Sequence, residues 1–171
     1  MFSGLQTKPA CFALAAYFSE ICELLSDTDS VSDDLLRLVL NMFYALAKLD
    51  LNPELVRAAF EARALVFAGY APMLECCSVC AHTPEDPVIS LSGFSVRCFR
   101  CGEPEGSERR ISFGAYAALL HFVSSPLKKI LSVNVTQEEI RELTSITEAW
   151  LESRVGGRSS RNYYKGMISY G

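Results

Sequence analysis

The sequence has no excess of basic residues. Its 171 residues include 16 lysines and arginines against 20 aspartates and glutamates, which gives a net charge of −4. Because non-specific nucleic-acid affinity comes mainly from neutralising phosphates, this balance excludes a surface that is basic throughout. The charge is uneven, since residues 1–75 carry five basic against ten acidic residues and residues 107–171 carry nine against six. The C-terminal part is therefore the candidate anion-binding region.

Long apolar runs are also absent. No stretch reaches the roughly 18 uninterrupted apolar residues that a membrane-spanning helix requires. Glu20 interrupts the first apolar segment, and Arg37, Asn41 and Lys48 interrupt the second. The N-terminal segment weakly imitates a signal peptide, but its apolar pattern continues as a folded helix would. We expect a soluble intracellular protein with no membrane partner.

Recognisable catalytic motifs are missing as well. The sequence contains no phosphate-binding loop, no dinucleotide-binding glycine pattern, no nucleophile-elbow serine and no paired-histidine zinc motif. Its two histidines are predicted to lie in a loop (His82) and at a core or edge position (His121). The acidic pair Glu138–Glu139 lies at a predicted helix start, where carboxylates interact favourably with the helix dipole. We therefore predict that the protein is not an enzyme.

What the chain does contain is alanine, leucine and aromatic residues at helical spacing, which predicts a mainly α fold. The predicted helical segments are residues 9–25, 35–49, 53–69, 112–125 and 136–154. The second segment is apolar nearly all round, so we expect it to be the central, most buried helix. Thr136 and Glu139 fit a capping box, and Gly69 fits a helix C-cap.

Five of the seven cysteines lie in two short stretches, ECCSVC at residues 75–80 and RCFRC at residues 97–101. Between these stretches, the segment DPVISLSGFSVRC alternates like two short strands around Ser92–Gly93. This pattern predicts a β-hairpin that brings the two cysteine stretches together.

The two stretches provide two Cys-x-x-Cys pairs separated by seventeen residues, and the candidate metal ligands are Cys77, Cys80, Cys98 and Cys101. Two thiolates three positions apart in a tight turn can share one metal ion, and two such turns complete a tetrahedron. A closed four-thiolate site has no open coordination position, so we expect structural zinc (Zn²⁺) rather than a catalytic metal. The spacing also fits iron, but zinc is the better match for a site on a hairpin.

The other readings of the cysteines are weaker. Cys76 could pair with Cys80 in place of Cys77. However, a spacer of two residues between paired cysteines is commoner in this type of zinc site, and it matches the Cys98–Cys101 pair. Disulfides are disfavoured because nothing else marks the chain as secreted, and a redox Cys-x-x-Cys pair would need a βαβ context. Cys11 and Cys22 lie in the first apolar helix and are interpreted as small buried hydrophobic residues.

The C-terminal segment is the second candidate site. After Glu152 it carries no acidic residue, and its basic residues are Arg154, Arg158, Arg161 and Lys165. These side chains can contact phosphates or an acidic protein tail, while Tyr163 and Tyr164 can stack on bases. The alternative is a C-terminal strap whose tyrosines pack on the helical body.

The order of these elements resembles the C-terminal part of the RecO family of bacterial recombination mediators. The most specific part of the resemblance is the motif A-R-x-L-x-x-x-G-Y-x-P-x-L-x-x-C-x-x-C, which begins at Ala62. It is supported by CFRC, by the helix ISFGAYAALLHFV and by the terminal Gly-Arg and Ser-Arg pairs that contain Arg158 and Arg161. The likeness extends over the chain from about residue 10.

The resemblance implies a DNA repair protein that binds single- and double-stranded DNA and anneals complementary strands. It implies that the protein acts with RecR to help RecA recombinase replace the single-stranded-DNA-binding protein SSB, and that its helical domain binds the acidic, apolar C-terminal tail of SSB. A bacterial cytoplasmic location at the nucleoid follows from this role. The four candidate cysteines match the family's metal positions, and Arg158 and Arg161 match its basic terminal pattern.

The resemblance also sets the expected domain organisation. The family begins with an OB-fold, a nucleic-acid-binding barrel of roughly eighty residues, whereas residue 1 here lies just before the helical part. We expect a fragment or a short relative, with a bundle-like helical domain of residues 1–75 and 107–171 and an inserted four-cysteine zinc-finger hairpin of residues 76–106. The first functional hypothesis is a mediator-type DNA- and protein-binding module. The second is an interaction scaffold that makes no direct DNA contact.

Overall fold

The structure is a computed structural model that describes residues 9–26 and 32–155. The described residues form five α-helices: α1 (Pro9–Leu25), α2 (Asp33–Lys48), α3 (Pro53–Phe67), α4 (Phe113–Ser124) and α5 (Gln137–Val155). They also form three short strands: β1 (Pro87–Ser90), β2 (Ser95–Cys98) and β3 (Glu108–Arg110). The predicted mainly α class is confirmed. Within this described part, no helix is both long enough and apolar enough to cross a membrane.

Helix α3 lies at the centre of the fold. Every side chain from Leu55 to Leu65 is buried, and α3 packs against all four other helices. Four of these buried positions are alanines, whose small side chains let neighbouring helices approach closely. Burial on all sides leaves α3 no solvent-facing stripe, so its charged residues also lie inside the protein.

The prediction that residues 35–49 form the most buried helix is wrong. Helix α2 packs mainly against α1 and α3 and exposes an apolar stripe at four-residue spacing. Leu36 is 50 %, Leu40 47 % and Tyr44 56 % exposed. The two helices are similarly apolar, but α2 is the more amphipathic and keeps one face towards solvent. Helix α3 is buried despite its charges, because Arg57 and Glu61 pair with each other and also contact side chains of other helices.

A buried ionic network joins three helices through α3. The guanidinium of Arg57 contacts the carboxylates of Glu54 at 2.6 Å, Glu61 at 3.0 Å and Glu148 of α5 at 3.4 Å. Glu61 is fully buried and also accepts hydrogen bonds from the Tyr17 hydroxyl of α1 at 2.8 Å and the Thr147 hydroxyl of α5 at 2.7 Å. Every partner of this carboxylate comes from inside the core, so Glu61 fixes α1 and α5 relative to α3.

The helix termini follow the predicted local chemistry. Gly69 has φ +84°. Its amide donates to the Val66 carbonyl, and the Tyr70 amide donates to the Leu65 carbonyl, which together form a Schellman motif. Thr136 and Glu139 exchange hydrogen bonds between side chain and backbone at 3.2 and 2.7 Å, which confirms the capping box. These caps end α3 and start α5 at defined residues.

The three strands form an antiparallel sheet in the order β2-β1-β3. The predicted hairpin around Ser92–Gly93 is confirmed as β1 and β2, whereas β3 was not predicted. The inner face of the sheet belongs to the same hydrophobic core as the helices. Phe94 stacks on Trp150 of α5 at 5.4 Å, and the Trp150 indole donates to the Ser90 carbonyl at 3.2 Å. The division into a helical domain and an inserted finger of residues 76–106 stays a prediction.

Replacing Glu61 with alanine should strongly destabilise the fold. The change leaves the Tyr17 and Thr147 hydroxyls without their acceptor and removes one counter-charge of Arg57, so we expect a loss of about 3–5 kcal/mol. Urea unfolding measures this quantity. Glu23→Ala, at an exposed position of α1, is the matched control and should change stability by no more than about 0.5 kcal/mol. Equal effects of the two changes would contradict the structural role of the network.

Candidate metal centre

The four candidate ligands come from two tight turns held together by the hairpin. Cys77 and Cys80 lie in the loop before β1, Cys98 ends β2, and Cys101 ends a short 3₁₀ turn at Phe99–Cys101. The first turn is attached to the outer edge of β2, because the Ser78 amide donates to the Val96 carbonyl at 2.9 Å. Met73 makes two further backbone hydrogen bonds to this strand region, at 2.7 and 3.2 Å.

The sulfur atoms form a compact group of four. All four Sγ atoms lie within 4.8 Å of one another. The distance from Cys77 to Cys101 is 3.8 Å and that from Cys80 to Cys98 is 3.9 Å. Zinc–sulfur bonds of about 2.3 Å in a tetrahedron place neighbouring sulfurs about 3.8 Å apart. The cysteine group therefore has the donor chemistry and the dimensions to hold one metal ion.

The electrostatics of the group favour a cation among the sulfurs. Although burial opposes ionisation, amide donors from Cys80, Cys98 and Val79, at 3.3–3.5 Å from the Cys77 sulfur, lower the pKa of Cys77 to about 6. Burial and the neighbouring Cys80 and Cys77 raise the pKa of Cys101 to about 12. Contacts with His82 lower the pKa of Cys80 as well, whereas at Cys98 a backbone hydrogen bond from Glu85 is outweighed by burial and by the neighbouring Cys77 and Cys80, which raise its pKa. Two of the four sulfurs therefore resist ionisation, and a divalent cation would remove that resistance.

Other residues near the group do not join it. Cys76 is exposed, and its sulfur is outside the group of four, so the structure assembles the register that uses Cys77. His82 is exposed, and its Nδ1 lies 2.8 Å from the Cys80 carbonyl oxygen. Cys11 is buried in the core, and burial raises the pKa of Cys22 to about 11, which disfavours thiolate chemistry there. The assignment of Cys77, Cys80, Cys98 and Cys101 as metal ligands stays a prediction.

Of the predicted anion-binding residues, the structure describes only Arg154. Its guanidinium carbon lies 4.7 Å from the ring centres of both Tyr70 and Phe94, at the C-terminal end of α5. The side chain is exposed to solvent, and the aromatic contacts hold its planar group in place. Arg158, Arg161 and Lys165 lie outside the described residues. Neither ring was identified from the sequence, because Tyr70 and Phe94 are distant from Arg154 in the chain.

Comparison with known proteins identifies the family. Residues 7–162 match the family model described as Recombination protein O C terminal. The chain belongs to this family. The match confirms the resemblance seen in the motif that begins at Ala62, and it includes both cysteine pairs as well as Arg154.

Similar proteins are DNA repair proteins RecO of several bacteria. The protein of Acetivibrio thermocellus is 29 % identical over 153 residues, covering 87 % of this chain and 59 % of that protein. The protein of Caldicellulosiruptor saccharolyticus is 25 % identical over 139 residues, covering 81 % of this chain and 56 % of that protein. The chain therefore spans less than two thirds of the length of these two relatives.

Removing one metal ligand should release the metal and unfold the cysteine-bearing sheet. We expect Cys77→Ser to lower the bound metal from one equivalent per chain to far below one, since three thiolates and a hydroxyl bind zinc much more weakly. Elemental analysis of the purified protein measures the metal, and amide exchange of β1 and β2 reports the sheet.

Cys76→Ser is the matched control, because it removes the adjacent sulfur and leaves the group of four intact. It should retain one equivalent of metal. Equal metal loss in both variants, or a wild-type protein without metal and with reduced cysteines, would contradict the assignment.

Proposed function

We propose that this chain is the binding part of a DNA repair and recombination protein, with a structural zinc ion at its four-cysteine group. The observation that supports this proposal most directly is the match of residues 7–162 to the RecO C-terminal family. The names of the similar proteins place them in DNA repair. A role in that process is therefore the function we propose for the chain.

Zinc is proposed as the metal because four thiolates at tetrahedral spacing suit it and leave it no open position. Cys77, Cys80, Cys98 and Cys101 would hold the ion. Its contribution would be folding free energy for the short sheet, which has only three to four residues per strand. Iron is the alternative metal for the same sulfurs. In either case the metal would stabilise the binding surface rather than perform chemistry.

The position of Arg154 is the observation that favours an anion-binding surface beside the three-stranded sheet. Its guanidinium carbon lies 4.7 Å from the ring centres of Tyr70 and Phe94, and these contacts restrict the side chain, so binding a phosphate or carboxylate would cost it little further side-chain entropy. We propose that Arg154 acts with Arg158, Arg161 and Lys165 to bind single- or double-stranded DNA or an acidic protein tail. RecR and the C-terminal tail of SSB are the proposed protein partners, and assistance to RecA loading is the proposed outcome.

The second candidate function is an interaction scaffold that binds the acidic tail without direct DNA contact. The net charge of −4 favours this alternative, because it limits non-specific attraction to phosphates. Binding measurements with an acidic tail peptide and with single-stranded DNA distinguish the two proposed functions. Binding of an acidic SSB-tail peptide, with no single-stranded DNA binding even at low salt, would favour the scaffold.

Direct DNA contact predicts a specific salt dependence. The logarithm of affinity for a single-stranded oligonucleotide should fall with log salt by about 0.7 for each phosphate neutralised. Arg154→Gln should weaken binding and reduce this slope by about that amount. Replacing Arg158 and Arg161 together should reduce the slope by about twice as much. Fluorescence anisotropy at several salt concentrations measures both quantities.

Arg141→Gln is the matched control, because Arg141 is an exposed arginine on the same helix and makes the same change in net charge. It should leave the salt slope nearly unchanged. Identical slopes for wild type and for the Arg154→Gln protein, with both proteins folded, would show that Arg154 makes no phosphate contact.

A further inference from the structure

Helix α2 presents a ridge of apolar side chains to solvent. Leu36, Leu40 and Tyr44 are 50 %, 47 % and 56 % exposed. Because an α-helix turns by about 100° per residue, Leu36 and Tyr44 project about 40° to either side of Leu40, and the three form one continuous row. Single exposed apolar side chains are normal, but a contiguous row along a helix is typical of a surface that binds another protein.

The opposite side of α2 is already used inside the fold. It packs against α1 and α3, and the side chains of Leu35, Leu38 and Met42 are buried there. The helix is therefore apolar on two sides, of which the fold covers one. A ridge on a helix surface packs well against a second helix, because the side chains of that helix leave grooves of matching spacing.

The exposed charges of α2 have opposite signs at the two ends of the ridge. Asp33 lies at the N-terminal end, within about 20° of Leu40 around the helix axis, and Lys48 lies at the C-terminal end. Both are exposed, and no ion pair joins either of them to another described residue. The other exposed charges of the helix, Asp34 and Arg37, offset each other. The ridge is therefore negative at one end, apolar in the middle and positive at the other end.

A ridge with this polarity is complementary to a second copy of itself in the antiparallel direction. When two copies of α2 cross at Leu40, each residue lies opposite the one that is about equally far beyond Leu40 on the other copy. Asp33 of each copy then lies beside Lys48 of the other, and Leu36 lies beside Tyr44. A twofold axis thus forms both ion pairs and both apolar contacts from one surface, as in most homodimers. A parallel pair would place like charges together at both ends.

We propose that this chain forms a homodimer in which the α2 helices of two copies pack antiparallel through Leu36, Leu40 and Tyr44. The partner is a second copy because that copy supplies an apolar row of the same length and the opposite charge at each end. The proposal goes beyond the proposed function, and it requires neither the metal nor the anion-binding surface at Arg154. One helix pair buries less than the about 1,600 Å² of a standard interface, so we expect a dissociation constant of roughly 10–100 μM.

Sedimentation equilibrium of the 171-residue chain tests the proposal. Between roughly 1 and 500 μM, a range that brackets the expected dissociation constant, the mass should rise from the 18.9 kDa of one chain towards twice that value. Leu40→Glu should weaken dimerisation at least about tenfold, because it places two carboxylates at the twofold axis. Phe113→Glu makes the same kind of change at a residue of α4 that is 62 % exposed, and it should leave dimerisation unchanged.

Exchanging the end charges tests the antiparallel register. Asp33→Lys and Lys48→Glu, each made alone, replace both attractive pairs by repulsive ones and should each weaken dimerisation by roughly fivefold. A chain that carries both changes regains an opposite-charge pair at each end and keeps the wild-type net charge. Its dissociation constant should return to within about twofold of the wild-type value, because the two positions are coupled only across the dimer.

The proposal is overturned if the wild-type chain stays monomeric over the whole concentration range. It is also overturned if Leu40→Glu and the second variant Leu36→Glu, both shown to be folded by circular dichroism, dimerise as the wild type does, or if Phe113→Glu weakens dimerisation equally. Failure of the doubly exchanged chain to regain affinity would equally overturn it, since the helices would not then be antiparallel. None of these results depends on DNA or on the metal, so they leave the proposed repair role to be judged separately.

Discussion

The burial of helix α3 on all sides from Leu55 to Leu65 is the constraint on which the other features depend. A helix with no exposed face must place its charges in the core, and each buried charge then needs a partner from another element. Glu61 obtains such partners from α1 and α5, through Tyr17 and Thr147. Because these partners are 44 and 86 residues away in the chain, satisfying one carboxylate brings distant helices into a single arrangement.

The same helix positions both candidate sites. Gly69 ends α3 in a left-handed turn, and the chain then runs through Met73 along the edge of β2 into the first pair of cysteines. Tyr70, in the turn after α3, contacts Arg154 at the end of α5. In this account the metal would stabilise a sheet that is too small to fold alone, while Arg154, at the C-terminal end of α5, would meet an anionic partner. The most conspicuous motif in the sequence would therefore support binding without carrying it.

Features determined by local chemistry could be predicted from the sequence. The capping box at Thr136, the C-cap at Gly69 and the hairpin around Ser92–Gly93 depend on neighbouring residues only, and the structure contains all three. The central helix was not predicted, because α2 and α3 are similarly apolar and the burial of the charged Arg57 and Glu61 depends on contacts with other helices. Strand β3 was also missed. Its residues are all charged, and it pairs with β1 beside an ion pair of 2.6 Å between Arg97 and Glu108.

Native-state hydrogen exchange, measured amide by amide, tests the central role of α3 most directly. Amides in the middle of α3 should exchange only through global unfolding, so their opening free energy should equal the free energy of unfolding. Amides of α2 should open at lower free energy, because that helix has one exposed apolar face. Removing the metal with a chelator should lower protection in β1 and β2 first. Stronger protection in α2 than in α3 would contradict the account.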